Sequence, residues 1–143
     1  MALDHGERRI GVAVSDPLGI AAHAVTTIDA GERGTQLDEL CDLVQARNVK
    51  KIVVGMPVMM SGEEGARARQ VRSFLKELRR RIPGVPVETI DERLTSAQAH
   101  RSLSEQKVNL RERKRRVDQV AAQMILRRYL NRIRSQNSGS EEK

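Results

Sequence analysis

The sequence has 143 residues, enough for one domain with a real core, and its 26 Lys and Arg outnumber 19 Asp and Glu to leave a net charge of +7. That balance suits a polyanionic partner, nucleic acid or an anionic membrane surface, although charge that merely solubilises the chain is the plainer alternative. The lone Cys41 excludes a disulfide framework, and no apolar run is long enough to span a bilayer.

Ala2 to Asp4 can form a short strand, followed by a turn at His5-Gly6-Glu7-Arg8. Arg9 to Ser15 alternates, with Ile10, Val12 and Val14 on one face, and predicts a second strand. Asp16-Pro17-Leu18-Gly19 reads as a turn, with Asp16 a turn residue rather than a ligand. Val25 to Ile28 is rich in β-branched residues and predicts a third strand, completing an antiparallel meander. Leu37, Leu40, Cys41 and Val44 then recur at helical spacing, which places Cys41 in the expected core. Lys51 to Val54 predicts a buried strand ending at Gly55. From Gly65 to Ile82 a helix is expected, with Val71, Phe74, Leu75, Leu78 and Ile82 on one face and Arg69, Arg72, Lys76, Arg79 and Arg80 on the other. Pro83-Gly84 ends it. Val85 to Ile90 predicts a fifth strand that runs into Asp91-Glu92. A polar, basic stretch leads to a last helix from Val117 to Ile133, and the polar tail from Ser135 is expected to be disordered.

The predicted order is β-β-β-α-β-α-β-α. Right-handed crossovers then make the fourth and fifth strands parallel to the first. The expectation is an α/β fold, a mixed five-stranded sheet flanked by helices, with one domain over 1–134 and a tail over 135–143.

In such sheets, sites form beyond the carboxyl ends of the parallel strands. Asp4 ends the first strand, and Asp91 and Glu92 end the fifth. On the last helix Asp118 shares a stripe with Ala122, Ile125 and Tyr129, which should press on the sheet. An unpaired carboxylate there would be costly. A base such as Arg9 could pair with it, but a divalent cation shared with Asp4 and Glu92 accounts for all three acids at once. Arg111, Arg113, Lys114, Arg115 and Arg116 crowd the approach to Asp118, and Arg93 adjoins Glu92. Clusters of this kind hold phosphates; a solvated helix start is the structural alternative. With a single Phe, a single Tyr and no Trp, base stacking is not the expected mode of recognition. His5, His23 and His100 show no metal-ligand spacing and are read as non-ligands.

Four motifs, D-H-G-x-R-R-I-G-V-A-V-S-D from Asp4, I-V-V-G-M-P from Ile52, D-E-R-L-T from Asp91 and R-R-V-D-Q-V-A-A-x-x-I-L-x-x-Y-L from Arg115, resemble those of the bacterial YqgF family. Its members are called pre-16S rRNA nucleases or Holliday-junction-resolvase-like proteins. Each motif alone is weak; four in order, spanning Ala2 to Arg132, are specific. The resemblance implies an RNase H-like fold, with the family's acids at Asp4, Glu92 and Asp118 acting as catalytic residues and as ligands of Mg²⁺ or Mn²⁺. Adjacent strand residues face opposite ways, so one of Asp91 and Glu92 faces the site; Glu92 is the choice, with Asp91 capping the turn or pairing with a base. The implied reaction is phosphodiester hydrolysis leaving 5′-phosphate and 3′-hydroxyl ends, at one metal ion or two.

The expected substrate is RNA, pre-16S rRNA within a pre-ribosome. The alternatives are a four-way DNA junction, as for a resolvase, or RNA binding without catalysis. An actin-like sugar kinase lobe is disfavoured, because the chain is too short for two lobes. No membrane partner, a monomer or weak homodimer, and a cytoplasmic location without a signal region are also expected. The chain departs from the family's pattern in three places. The first strand opens close to Met1, the loop after Met56-Pro57 reads Val58-Met59-Met60-Ser61-Gly62 where Asn and Asp are usual, and His5 replaces a small or apolar residue.

Overall fold

The computed structural model describes residues 1–6, 8–29, 33–58, 61–91 and 110–141, of which 33–34, 110–116, 118 and 138–141 are described by backbone alone. The elements are β1 (Ala2–His5), β2 (Arg9–Ser15), β3 (Ala22–Asp29), α1 (Arg33–Ala46), β4 (Ile52–Met56), α2 (Ala66–Arg81), β5 (Val87–Asp91) and α3 (Leu110–Glu141). The strands form one five-stranded sheet in the order β3-β2-β1-β4-β5. β2 is antiparallel to β1 and β3, whereas β1, β4 and β5 are parallel. This is the mixed α/β sheet expected of an RNase H-like fold.

The third strand is longer than its β-branched run. Val14 and Ser15 pair with His23 and Ala22, so the ladder recruits residues of weak strand propensity. The register slips between Val12, opposite Thr26, and Ala13, opposite Ala24, which leaves Val25 as the extra residue of a bulge. Asp16 is the turn residue it was read to be. Its Oδ1 accepts from the Ile20 amide at 2.7 Å and its Oδ2 from that of Ala21 at 3.3 Å. Gly19 in this turn has φ 67°, a conformation that glycine adopts without strain.

α1 buries Leu37, Leu40 and Val44. Cys41 is only half-buried: one residue beyond Leu40, it lies at the margin of the stripe and outside the core expected for it. The helix ends in a left-handed residue, Asn48 with φ 51°. The Val49 and Asn48 amides reach back to the Val44 and Gln45 carbonyls at 3.0 and 3.2 Å, satisfying acceptors that a helix end leaves open.

α3 exceeds its predicted bounds at both ends, and the tail expected to be disordered from Ser135 continues as helix to Glu141. No proline interrupts this stretch. Ser135 Oγ donates to the Asn131 carbonyl at 3.0 Å, and Arg134 Nη2 donates to the Ile20 carbonyl at 2.7 Å, tying the helix to the β2–β3 turn.

Alternation along the strands divides the core into two layers. Leu3, Ile10, Val12, Ile28, Ile52 and Val54 face α1 and α2 and pack with Leu40, Val71, Phe74, Leu75 and Leu78. The other face is lined mostly by small residues: Ala2, Ala13, Ala22 and Val53 meet Ala122, Ile125, Leu126 and Tyr129 of α3. Small side chains on both sides let this helix lie close to the sheet, crossing β1, β2, β3 and β4. A leucine in place of the fully buried Ala13 would wedge the two apart. Ala13→Leu is expected to cost about 1–3 kcal/mol, seen as a lower urea midpoint at unchanged m value. An unchanged midpoint would mean that this contact has slack.

Candidate active site

The carboxyl ends of β1, β3, β4 and β5 lie at one edge of the sheet, and the first half of α3 arrives there from above. The direction of α3 is set by polar ties. Gln119 Nε2 donates to Thr27 Oγ1 at 3.0 Å and Gln123 Nε2 to the Ala22 carbonyl at 3.2 Å, so the helix runs antiparallel to β3 with its N-terminal end at this edge.

Asp4 stands at the end of β1 and is only 8% exposed, the one polar or charged residue in the buried set among the described residues. It alternates with Leu3 and so shares the α3 side of the sheet with Ala2. Its register partner on β2 is Gly11, and Gly11 pairs in turn with Thr27. On the other side Leu3 pairs with Val54, one residue before Gly55. The carboxylate is therefore flanked by two positions without side chains. Glycine inside a strand weakens it and marks a place where something must approach closely.

Position 118 lies one helical turn before the fully buried Ala122 and next to Gln119, so its backbone stands over the row that runs from Thr27 through Gly11 to Asp4. Glu92 and Arg93 lie outside the described residues. Arg111, Arg113, Lys114, Arg115 and Arg116 have helical backbone in the opening turns of α3. That is an unfavourable place for cations, at the positive end of the helix dipole and at mutual spacings of three and four residues. An anionic ligand at this end would relieve both costs.

Asp91 pairs in register with Met56, which packs on the α1 and α2 side, so its side chain belongs to the face away from Asp4. Its carbonyl accepts from Arg128 Nη1 at 2.7 Å. His5 also faces α2: its ring lies 4.5 Å from that of Phe74, and the Arg67 guanidinium donates to its carbonyl at 2.7 Å. The buried Nδ1 of His5 has no hydrogen-bond partner among the described residues. Burial, and then the nearby Arg67 charge, push the imidazole down to about 4, so it is neutral near pH 7. No group of three His, Cys, Asp or Glu suited to a metal occurs among the described residues.

Sequence reasoning did not assign roles to Gly11, Gly55, Gln119 or Arg128. The two glycines could have been noticed as breaks in strands otherwise built from Val and Ile. Nothing local marks Gln119 or Arg128, whose importance comes from what lies across the helix–sheet contact.

A family model described as RuvX, Holliday junction resolvase, matches residues 1–132. A protein of Roseiflexus sp. (strain RS-1) is 44% identical over 131 residues, covering 92% of each chain. One from Moorella thermoacetica is 44% identical over 133 residues, covering 93% of this chain and 94% of its own. One from Chloroflexus aurantiacus is 42% identical over 142 residues, covering 99% of this chain and 92% of its own. All three carry the name "Putative pre-16S rRNA nuclease".

The depressed imidazole of His5 makes stability depend on pH. The unfolded chain binds its proton near pH 6.5 and the folded chain near 4, so the contribution is present above pH 6.5 and is lost as pH falls through that window. After allowance for partial solvent access, the loss should amount to about 2 kcal/mol. Urea titrations at the two ends of the window should show it in the wild type and show much less of it in His5→Phe. Equal losses in both proteins would place the acid sensitivity elsewhere.

Proposed function

This chain belongs to the RuvX family, and on that premise we propose that it is a metal-dependent nuclease that hydrolyses phosphodiester bonds of RNA in the maturation of 16S rRNA precursors. The observation that supports this most is Asp4: a buried carboxylate at the carboxyl edge of parallel strands, flanked by glycines, under the N-terminal half of a helix whose opening turns are basic. The name shared by the relatives supports RNA as the substrate.

The donor chemistry fits a hard divalent cation. Asp4 offers carboxylate oxygens where neighbouring strands present no side chain, and such ions take oxygen ligands from protein, water and phosphate. We assign Asp4, Glu92 and Asp118 as the residues that would hold Mg²⁺ or Mn²⁺. Asp91 is left out, because alternation along β5 turns it to the other face. When bound, the ion supplies Lewis acidity, lowering the pKa of an attacking water and stabilising the leaving oxygen. The chain itself binds and orients the strand. Arg93, Arg111, Arg113, Lys114, Arg115 and Arg116 would contact phosphates, which places the scissile group at the positive end of α3. Contacts of this kind carry little sequence information, so specificity would come from RNA shape or from a pre-ribosomal assembly. His5, neutral and in tilted contact with the Phe74 ring on the other face of the sheet, is a packing residue.

The family description as a Holliday junction resolvase keeps DNA junctions as a second substrate class. Labelled RNA containing the 5′ flank of 16S rRNA and a four-way DNA junction should be incubated side by side with Mg²⁺, with Mn²⁺ and with EDTA. RNA cleavage that needs metal and falls at least about a hundredfold in Asp4→Asn is the expected outcome, with folding of the variant checked by circular dichroism. Cleavage of the junction alone would move the assignment to DNA. No cleavage of either substrate, with binding intact, would overturn the catalytic reading.

A further inference from the structure

A groove of about 530 Å³ runs between β5 and the second half of α3, starting at the catalytic edge. Thr89, Ile90 and Asp91 line it from the strand, and Arg128, Asn131, Arg132 and Ser135 from the helix. These four helix positions are spaced three, four and seven residues from Arg128, so they form one stripe about 10 Å long. All four side chains can donate hydrogen bonds, and two are cations. We propose that this groove is a phosphate-binding channel for the nucleic-acid strand as it leaves the catalytic edge. The proposal rests on the nuclease reading for its choice of ligand and goes beyond it in naming the path.

The two guanidiniums are already held in place. Arg128 donates one N–H to the Asp91 carbonyl at 2.7 Å, and a guanidinium carries four more donors. Arg132 lies over the Tyr129 ring, 5.4 Å from its centroid, and 3.7 Å from Glu88. Lys51 covers the same ring at 5.1 Å and bonds the same carboxylate at 2.8 Å, so the Glu88 charge is shared by two cations and does not cancel the groove's potential. Side chains ordered beforehand lose less entropy when a phosphate arrives. Asp91 is the single acid among the described lining residues, and register against Met56 turns its side chain to the other face of the sheet. With Tyr129 buried beneath, no exposed ring among the described lining residues offers a base a stacking surface, so the groove would read the backbone. A strand held here continues from the scissile position along a fixed direction, which would set the polarity of the substrate.

The test is equilibrium binding of a labelled single-stranded RNA in EDTA, where cleavage cannot intervene, across a salt series. Arg132→Gln and the exposed Ser135→Glu are compared with Arg47→Glu, a charge reversal at the opposite end of the sheet. Both groove variants are expected to bind about tenfold more weakly near 0.1 M salt, and Arg132→Gln to lose about one unit of salt slope. Arg47→Glu should stay within about twofold of wild type. The proposal is overturned if the groove variants, folded by circular dichroism, bind like wild type. It is equally overturned if Arg47→Glu weakens binding as much, because the effect would then be general electrostatics. A wild type that binds in this pattern but cleaves nothing would sink the nuclease reading and leave the channel standing.

Discussion

The contact between α3 and the small-residue face of the sheet is the constraint on which the rest depends. Ala2, Ala13 and Ala22 below and Ala122 above leave no bulk to hold helix and sheet apart, while Ile125, Leu126 and Tyr129 fill the margins. Distance and direction are thereby set together. Gln119 on Thr27, Gln123 on Ala22 and Arg134 on Ile20 are three ties along one helix, and a shift by a single turn would break them all. This register brings position 118 over the Asp4 row and leaves the second half of the helix beside β5.

The electrostatics divide along the same line. In a chain of net charge +7, a buried aspartate would be a liability in an arbitrary place. Here it stands at the edge where strand ends, a helix N-terminus and a run of basic positions converge. Ion pairs away from this edge do different work. Arg72 with Glu64 and Arg81 with Asp38 are solvent-exposed pairs of the kind that contributes little to stability. Lys51 and Arg132 on Glu88 instead tie edge strand β5 to β4 and α3 over an aromatic ring. The outer side of β5 is further blunted by arginines: Arg79 reaches the Val87 carbonyl at 3.0 Å and Arg128 that of Asp91. A sheet edge capped in this way resists pairing with another strand.

The two layers of the molecule also differ in character. The α1 and α2 side is a large aliphatic core around Leu40, Leu75 and Leu78. It carries His5 as a neutral passenger and supplies most of the buried apolar surface. The α3 side is thinner and rich in alanines, and it is the side that carries the buried Asp4. The large aliphatic core and the buried carboxylate thus occupy opposite faces of one sheet, and the strand alternation keeps them apart.

Local physics made much of this legible in the sequence. The period-two run from Arg9 to Ser15, the Asp16 turn and the apolar stripe of α2 each follow from side chains within a few residues of one another, and their elements stand where they were read. The order of elements was enough for the parallel direction of β1, β4 and β5, because right-handed crossovers leave little choice. Asp4 was readable as an acid at the end of an apolar strand, and it is buried there. What only the tertiary structure decided depends on partners far along the chain. β3 reaches back to Ala22 because β2 offers a ladder, Cys41 falls at the margin of its stripe, and α3 continues past Ser135 with Arg134 tied to the turn at Ile20. Register against Met56 turned Asp91 away from the site, and the pairing of Asp4 with Gly11 opened the space beside it. Spacing along a chain gives the period of an element, but the face each residue presents, and what lies across from it, is settled only when sheet and helix meet.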